Sequence, residues 1–324
     1  MNRKKYIKIV HFLLTNKCNS RCVNCSYWKN KDQHALNKKD VLDIIKNLNK
    51  NGLDTVIFSG GEPLLENKIF LICQEIRKNF PLIKLRLITN GLLLNAYADK
   101  ISRYFDVVVV SLDTNNRETY KKIRGVDGFN LIIKGIKRLR YLNKKLEIRA
   151  RCVIQKENYR SIKSLIDYVN RLGVDKISFL PIDIHSIDSF GRVGQKIDGK
   201  KAILNSNELK HFKSIIKSVD VGIKILVNKG HDLNKIYKYY SALSKGENLP
   251  PIKCNTPNFS LVIDNNLNVY PCYFRKKFDN LKQTGGILKI FNNKEFIKIR
   301  KNNWKNELCC RMCVSPEFYT RCIK

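Results

Sequence analysis

Cys18, Cys22 and Cys25 form a C-x3-C-x2-C run inside the stretch TNKCNSRCVNC. Three thiolates on so short a segment can wrap one metal centre and leave it without a fourth protein ligand. A [4Fe–4S] cubane held this way keeps one iron open to something that is not protein. A structural zinc site asks instead for four closed ligands, and this run could supply three of them to a zinc completed from elsewhere in the chain. An open iron points to catalysis and a closed zinc to architecture; the run alone admits both.

A second set lies far downstream: Cys254, Cys272, Cys309, Cys310, Cys313 and Cys322. The cysteines therefore gather near the two ends in metal-like spacings. The remaining two, Cys73 and Cys152, fall in helix-like and strand-like segments and read as small core residues. The opening MNRKKYIKIVHFLL lacks a long apolar core and a small-residue cleavage site, so it does not read as a secretory signal. No apolar run reaches the ~18 residues of a membrane span. A cytoplasmic, oxygen-sensitive metalloprotein is the expectation.

Charge is the unusual quantity: 62 Lys+Arg against 28 Asp+Glu, a formal +34. Such an excess can mark a nucleic-acid partner. Here the lysines are scattered through every segment, and no RRM, zinc-finger or helix-turn-helix signature accompanies them. A coding bias toward Lys, Asn and Ile explains the charge more simply.

The elements that must position the first cysteines alternate along the chain. Strand-like runs occur at 7–14, 55–58, 85–88, 107–110, 148–154 and 177–180, with helix-like stretches at 38–50, 68–78, 93–104, 131–142 and 162–172. Gly52, Pro81 and Gly173 stand where helices should stop. Repeated β-α steps imply a parallel sheet with right-handed crossovers. Six steps are too few for a closed eight-fold barrel, so a partial barrel or an open doubly wound sheet is expected. In either, the site lies beyond the carboxyl ends of the strands. That is where the three cysteines, Ser59-Gly60-Gly61-Glu62-Pro63, Thr89-Asn90-Gly91, Ser111-Leu112-Asp113 and residues 181–188 fall. Asp264-Asn265-Asn266 between two short apolar runs reads as a hairpin, and 190–204, with Gly191, Gly194 and Gly199, as a loop or boundary.

CNSRCVNC after the first strand, SGGEPLL after the second, then ITNG, VSLDT, KKIRG and ISFLP resemble the radical S-adenosylmethionine (SAM) enzymes over residues 6–190. The resemblance implies a partial (β/α)6 TIM-like barrel of α/β class, with Cys18, Cys22 and Cys25 holding a [4Fe–4S] cluster whose free iron is chelated by SAM. By the same resemblance, backbone groups of Gly60, Gly61 and Glu62 receive the SAM ammonium. Ser111 and Arg124 bond the ribose or carboxylate, Arg151 is a further carboxylate partner, and Leu180 lines the adenine. Reductive cleavage of SAM then yields a 5′-deoxyadenosyl radical that abstracts a substrate hydrogen. The family usually places an aromatic residue just before the third cysteine, where this chain has Asn24; Tyr27 and Trp28 are close enough in sequence to substitute.

The distal pattern, Cys254-x17-Cys272 and then Cys310-x2-Cys313, resembles the auxiliary-cluster domain called SPASM or twitch, which implies a second [4Fe–4S] cluster closed by four thiolates. Cys309 is an alternative to Cys310, and Cys322 reads as a spare thiol, a replacement ligand or a hydrogen-atom donor. The implied organisation is a radical SAM core over 1–200, a helical connector over 201–250 and a small cysteine-rich domain over 251–324. Asp183 and His185, after the sixth strand, are candidates with Cys322 for proton or hydrogen transfer. His11 reads as a strand packing residue. The expected reaction is oxidation, cross-linking or epimerisation of a peptide or sugar-like metabolite, fed by a reductant such as flavodoxin or ferredoxin. The competing reading is a non-catalytic basic metal-binding protein acting on nucleic acid.

Overall fold

A computed structural model describes residues 6–31, 33–192, 203–219, 224–227, 230–247, 254–302, 310 and 313. Six parallel strands carry the first half: β1 (Ile9–Thr15), β2 (Thr55–Gly60), β3 (Lys84–Thr89), β4 (Val107–Ser111), β5 (Glu147–Ile154) and β6 (Lys176–Pro181). They lie side by side in chain order. A doubly wound sheet would reverse its order at a switch point; unbroken succession makes this a partial barrel that does not close.

The covering helices are α1 (Lys38–Asn49), α2 (Lys68–Asn79), α3 (Ala98–Tyr104), α4 (Arg117–Arg124), α5 (Phe129–Leu142) and α6 (Ile162–Arg171). Each buries an apolar stripe on the sheet, as α6 does with Ile162, Leu165, Ile166 and Val169. Two differ from the periodicity. The expected helix at 93–104 begins only at Ala98, because Gly91 takes a left-handed φ of 88° and the chain turns through residues 92–97 first. The short, strongly charged α4 is an addition, capped by the Asn116 side chain accepting from the Thr119 amide and ended by Gly125.

Beyond the barrel come α7 (Ser206–Ser218) and α8 (Gly230–Lys245), then β7 (Ser260–Ile263), β8 (Asn268–Tyr270), β9 (Asp279–Asn280), α9 (Leu281–Thr284), α10 (Ile287–Phe291) and α11 (Lys294–Asn302). The hairpin forms as the Asp-Asn-Asn turn suggests, with β7 and β8 antiparallel. No sheet boundary separates the expected cysteine-rich domain from the core. β7 pairs in parallel with β1, giving the order β6-β5-β4-β3-β2-β1-β7-β8-β9. An unclosed barrel leaves β1 with an unpaired edge, and β7 satisfies its backbone groups. The opposite edge, β6, takes a bridge from Leu226. Most of the loop expected at 190–204 lies outside the described residues.

Candidate cluster and SAM site

The strands' alternation decides which side chains enter the barrel. His11, Leu13, Ser59, Ile88, Ser111, Arg151, Val153 and Leu180 point inward and line a pocket of about 240 Å³ at the carboxyl end of the sheet. His11 thus belongs to the pocket lining, contrary to the packing role expected of it; its register with Leu13 on β1 was the available signal.

Cys18, Cys22 and Cys25 line the same pocket. The loop that carries them is hung on the end of β2. The Gly61 amide donates to the Thr15 carbonyl at 2.8 Å, and the Glu62 amide donates to the Lys17 carbonyl at 2.7 Å. A Cβ on Gly61 would stand 2.0 Å from the Lys17 oxygen; one on Gly60, whose φ is 120°, would stand 2.5 Å from the Thr15 oxygen. The glycines are therefore required first by the approach of the cysteine loop itself. An ammonium donates hydrogen bonds, so only carbonyl oxygens of this segment could receive it; the Gly61 and Glu62 amides are already engaged.

Glu62 is not among the pocket-lining residues. Its buried carboxylate accepts from the Thr89 hydroxyl at 2.8 Å, the Asn90 amide at 2.7 Å and the Leu64 amide at 3.1 Å, locking the third strand's loop to the second's. Burial raises its pKa from 4.5 to about 7 despite those three donors. The folded chain therefore keeps a proton that the unfolded chain releases above pH 4.5, so stability falls as pH rises from 4.5 to about 7 and is level beyond. The linked cost is about 3 kcal/mol. Denaturant midpoints of wild type and Glu62→Gln should show the gap between them shifting by about that amount in the variant's favour between pH 5 and 8; a gap independent of pH would refute the assignment.

The three sulfurs have unlike surroundings. Cys22 Sγ receives Arg124 Nη1 at 3.6 Å and stands 3.3 Å from the Ser20 hydroxyl. Cys18 Sγ has the Asn90 amide nitrogen at 3.9 Å, and Asn90 is steadied by Asn19 at 2.7 Å. The Cys25 thiol donates to the Phe190 carbonyl at 3.3 Å. Burial pushes Cys18 up to about 11 and Cys25 up to about 12. Metal binding must therefore displace protons from these thiols.

Arg124 lines the pocket; its Nη1 reaches Cys22 Sγ and its Nη2 lies 2.5 Å from Oδ2 of buried Asp113. Asp183 also lines the pocket, with its carboxylate 3.0 Å from Arg192 Nη1 in a pair exposed by only 3% and 1%. Arg192 further donates to the Ser186 carbonyl at 2.8 Å and to the Asn24 carbonyl at 3.3 Å, tying the loop after β6 to the cysteine loop. Removing one member of such a pair leaves a buried charge uncompensated. Arg192→Met should cost about 3–5 kcal/mol, and the double variant with Asp183→Asn markedly less than the sum; additive losses in a denaturation cycle would refute the coupling. His185 is not among the pocket residues and stands edge-on to Tyr239, 6.4 Å between centroids. Cys322 and Cys309 lie outside the described residues.

Sequence reasoning did not mark the wall opposite the barrel. Phe190, Tyr273 and Phe274 close that side, with Phe190 and Tyr273 centroids 5.1 Å apart. Tyr27 is buried there and shares a hydrogen bond with Tyr273; Trp28 instead donates to the Cys22 carbonyl at 3.2 Å. Asn24 and Tyr27 both line the pocket. Tyr273 directly follows Cys272. Around Cys272, burial first and then the nearby Cys313, Cys310 and Cys254 thiols raise the pKa, which groups these four sulfurs together. Buried Arg275 places Nη1 4.0 Å from Cys310 Sγ. The donor chemistry suits iron–sulfur centres: three thiols line the pocket, and Cys254, Cys310 and Cys313 lie near enough to Cys272 to act on it electrostatically.

Both cysteine-bearing regions match known families. A model of the radical SAM superfamily matches residues 12–169, and one of the SPASM iron–sulfur cluster-binding domain matches residues 254–314. A probable GTP 3′,8-cyclase of Saccharolobus solfataricus is 29% identical over 220 residues, 67% of each chain. Another, from Methanococcus aeolicus, is 32% identical over 188 residues, 55% of this chain and 61% of its own. In fold, the chain is similar to Streptococcus suis SuiB bound to S-adenosylmethionine (TM-score 0.66, 18% identity, 91% of this chain and 68% of that one). It is similar also to anSMEcpe with bound AdoMet and the Cp18Cys peptide (TM-score 0.66, 18% identity, 95% and 88%).

Proposed function

Because this chain is a radical SAM superfamily enzyme with a C-terminal SPASM domain, we propose that it carries out a two-electron oxidation of a peptide side chain. The observation that carries this reading is the position of Tyr273. It follows Cys272 in the chain and lines the pocket that also contains Cys18, Cys22 and Cys25. A cluster held by Cys272 would then be one residue removed from the pocket wall, which supports a second electron acceptor near the site that starts the chemistry.

Cys18, Cys22 and Cys25 would hold the SAM-binding cluster, and Cys254, Cys272, Cys310 and Cys313 the auxiliary one. When bound, the first cluster and SAM supply a hydrogen-abstracting adenosyl radical. The chain's own residues do the rest. Gly60 and Gly61 hold the cysteine loop to the sheet, with carbonyls available to an ammonium. Arg151 presents a guanidinium fork suited to a carboxylate, Ser111 a hydroxyl suited to the ribose, and Leu180 an apolar surface for the adenine. Tyr27, Phe190 and Phe274 exclude water from the reacting side. Asp183 accepts from Arg192 beside the pocket, where its task is to fix the loop. A low-potential one-electron donor of flavodoxin or ferredoxin type is the partner this chemistry requires. We place the chain in the cytoplasm, where such thiols stay reduced. Among the described residues no helix is long and apolar enough to cross a membrane.

Peptide over nucleotide is favoured by the fold neighbours crystallised with peptides, SuiB with SuiA and anSMEcpe with Cp18Cys, which the chain matches over most of its length. The test is anaerobic reconstitution followed by reaction with SAM, reductant and either a panel of peptides encoded beside the gene or GTP. Loss of two hydrogens from a peptide for each 5′-deoxyadenosine formed supports the proposal. Solvent deuterium in a peptide of unchanged mass class would make it an epimerase, and consumption of GTP a cyclase. Stoichiometric zinc with no SAM cleavage would return it to a non-catalytic metal-binding protein.

A further inference from the structure

Arg124 closes α4 with its guanidinium directed at one cluster sulfur, and its role deepens the proposed function, since it rests on a cluster held by Cys18, Cys22 and Cys25. We propose that Arg124 is a positioning residue that sets the reduction potential of that cluster by donating to the Cys22 sulfur.

The three sulfurs are not equivalent. Cys22 Sγ has a cationic donor at 3.6 Å and the Ser20 hydroxyl at 3.3 Å, whereas Cys18 has a side-chain amide at 3.9 Å and Cys25 faces the Phe190 carbonyl at 3.3 Å. The Arg124 side chain is 11% exposed and its partner Asp113 1%. In such surroundings a charge acts more strongly than in water. Asp113 is itself immobilised, accepting from the Val153 amide at 2.8 Å. The Arg124 carbonyl accepts from the Arg21 amide at 2.9 Å and from the Ser20 hydroxyl at 3.1 Å, so one residue holds both the backbone and the sulfur of the same turn. A guanidinium is always charged in a protein, and Asp113 pairs with it directly.

Accepting one electron makes a cluster more negative. Donors at its sulfurs stabilise that state and raise the potential. A guanidinium fork reaches Asp113 and Cys22 together, which a lysine ammonium cannot do in one geometry. Arg124 therefore acts through Cys22, and contact with SAM is left to Arg151 and Ser111.

The experiment is an EPR-monitored redox titration of the reconstituted protein without SAM, comparing wild type, Arg124→Gln and Arg124→Lys, with the C-terminal cluster as internal reference. Arg124→Gln should lower the N-terminal cluster's potential by at least a tenfold change in its reduction equilibrium, about 59 mV for one electron. Arg124→Lys should fall between, and the C-terminal cluster should not move. An unchanged potential together with SAM binding weakened tenfold or more would overturn the proposal and make Arg124 a SAM ligand. Equal shifts of both clusters, or variants that load no N-terminal iron, would overturn it in favour of a purely structural role. Failure of the underlying function reading is distinguished separately: Cys18→Ala would then remove no iron from the wild-type complement.

Discussion

Cys18→Ala reduces the iron content of the reconstituted protein from about eight to about four per chain and takes 5′-deoxyadenosine formation to background. Three thiolates are the minimum that holds a cubane while leaving one iron for SAM; two cannot. Cys18 is only partly buried and lines the pocket wall, so its loss removes little packing and the fold should persist. The distal set, Cys254, Cys272, Cys310 and Cys313, does not share its loop, and should load normally. Cys272→Ala supplies the mirror image: the same halving of iron, SAM cleavage retained, and substrate oxidation lost. Iron analysis and product chromatography on both variants read the two outcomes directly. Equal loss of SAM cleavage in both would mean that the two cysteine sets do not divide the work.

Gly61→Ala is the second large effect. No positive φ is involved at this residue; the cost is steric. An added Cβ meets the Lys17 carbonyl oxygen at 2.0 Å and its carbon at 2.7 Å. The obstacle is backbone, so no side chain can swing aside. Either β2 or the cysteine loop must retreat, and the loop has fewer bonds to lose. Its anchors are the 2.8 Å and 2.7 Å hydrogen bonds from the Gly61 and Glu62 amides. A displacement of about 1 Å at a reacting centre costs about a hundredfold in rate, and Gly61→Ala should lose at least that in SAM cleavage, with incomplete N-terminal iron. A variant with full iron and wild-type cleavage would show that the loop tolerates the shift.

The barrel was readable because parallel strands buried on both faces leave near-continuous apolar runs, as in Val107–Ser111, and because helix caps and stops mark the intervals. Helix α4 was not, since a charged eight-residue segment with Tyr120 and Ile123 as its buried residues carries too few apolar positions to show a period. The division of the chain near residue 250 was read from the onset of cysteines and turns. Sheet pairing obeys a different rule, the need of β1 for a neighbour, and β7 meets it from more than 200 residues away.

What the sequence by itself determined is the chemistry available: the residue types and spacing of Cys18, Cys22 and Cys25, the glycines one strand later, and the second group of thiols near the other end. These are local patterns, legible because a loop that wraps a metal needs its ligands close in sequence. The tertiary structure decided what each side chain is committed to. Glu62 braces a neighbouring loop, Arg124 serves Cys22 and Asp113, Asp183 is taken by Arg192, and His11 enters the pocket. Tyr27 and Tyr273, some 250 positions apart, share a hydrogen bond that joins the two cysteine sets. A buried polar group must find its partner wherever the fold brings one, and for these residues the partner lies on another strand or loop that sequence distance does not reveal.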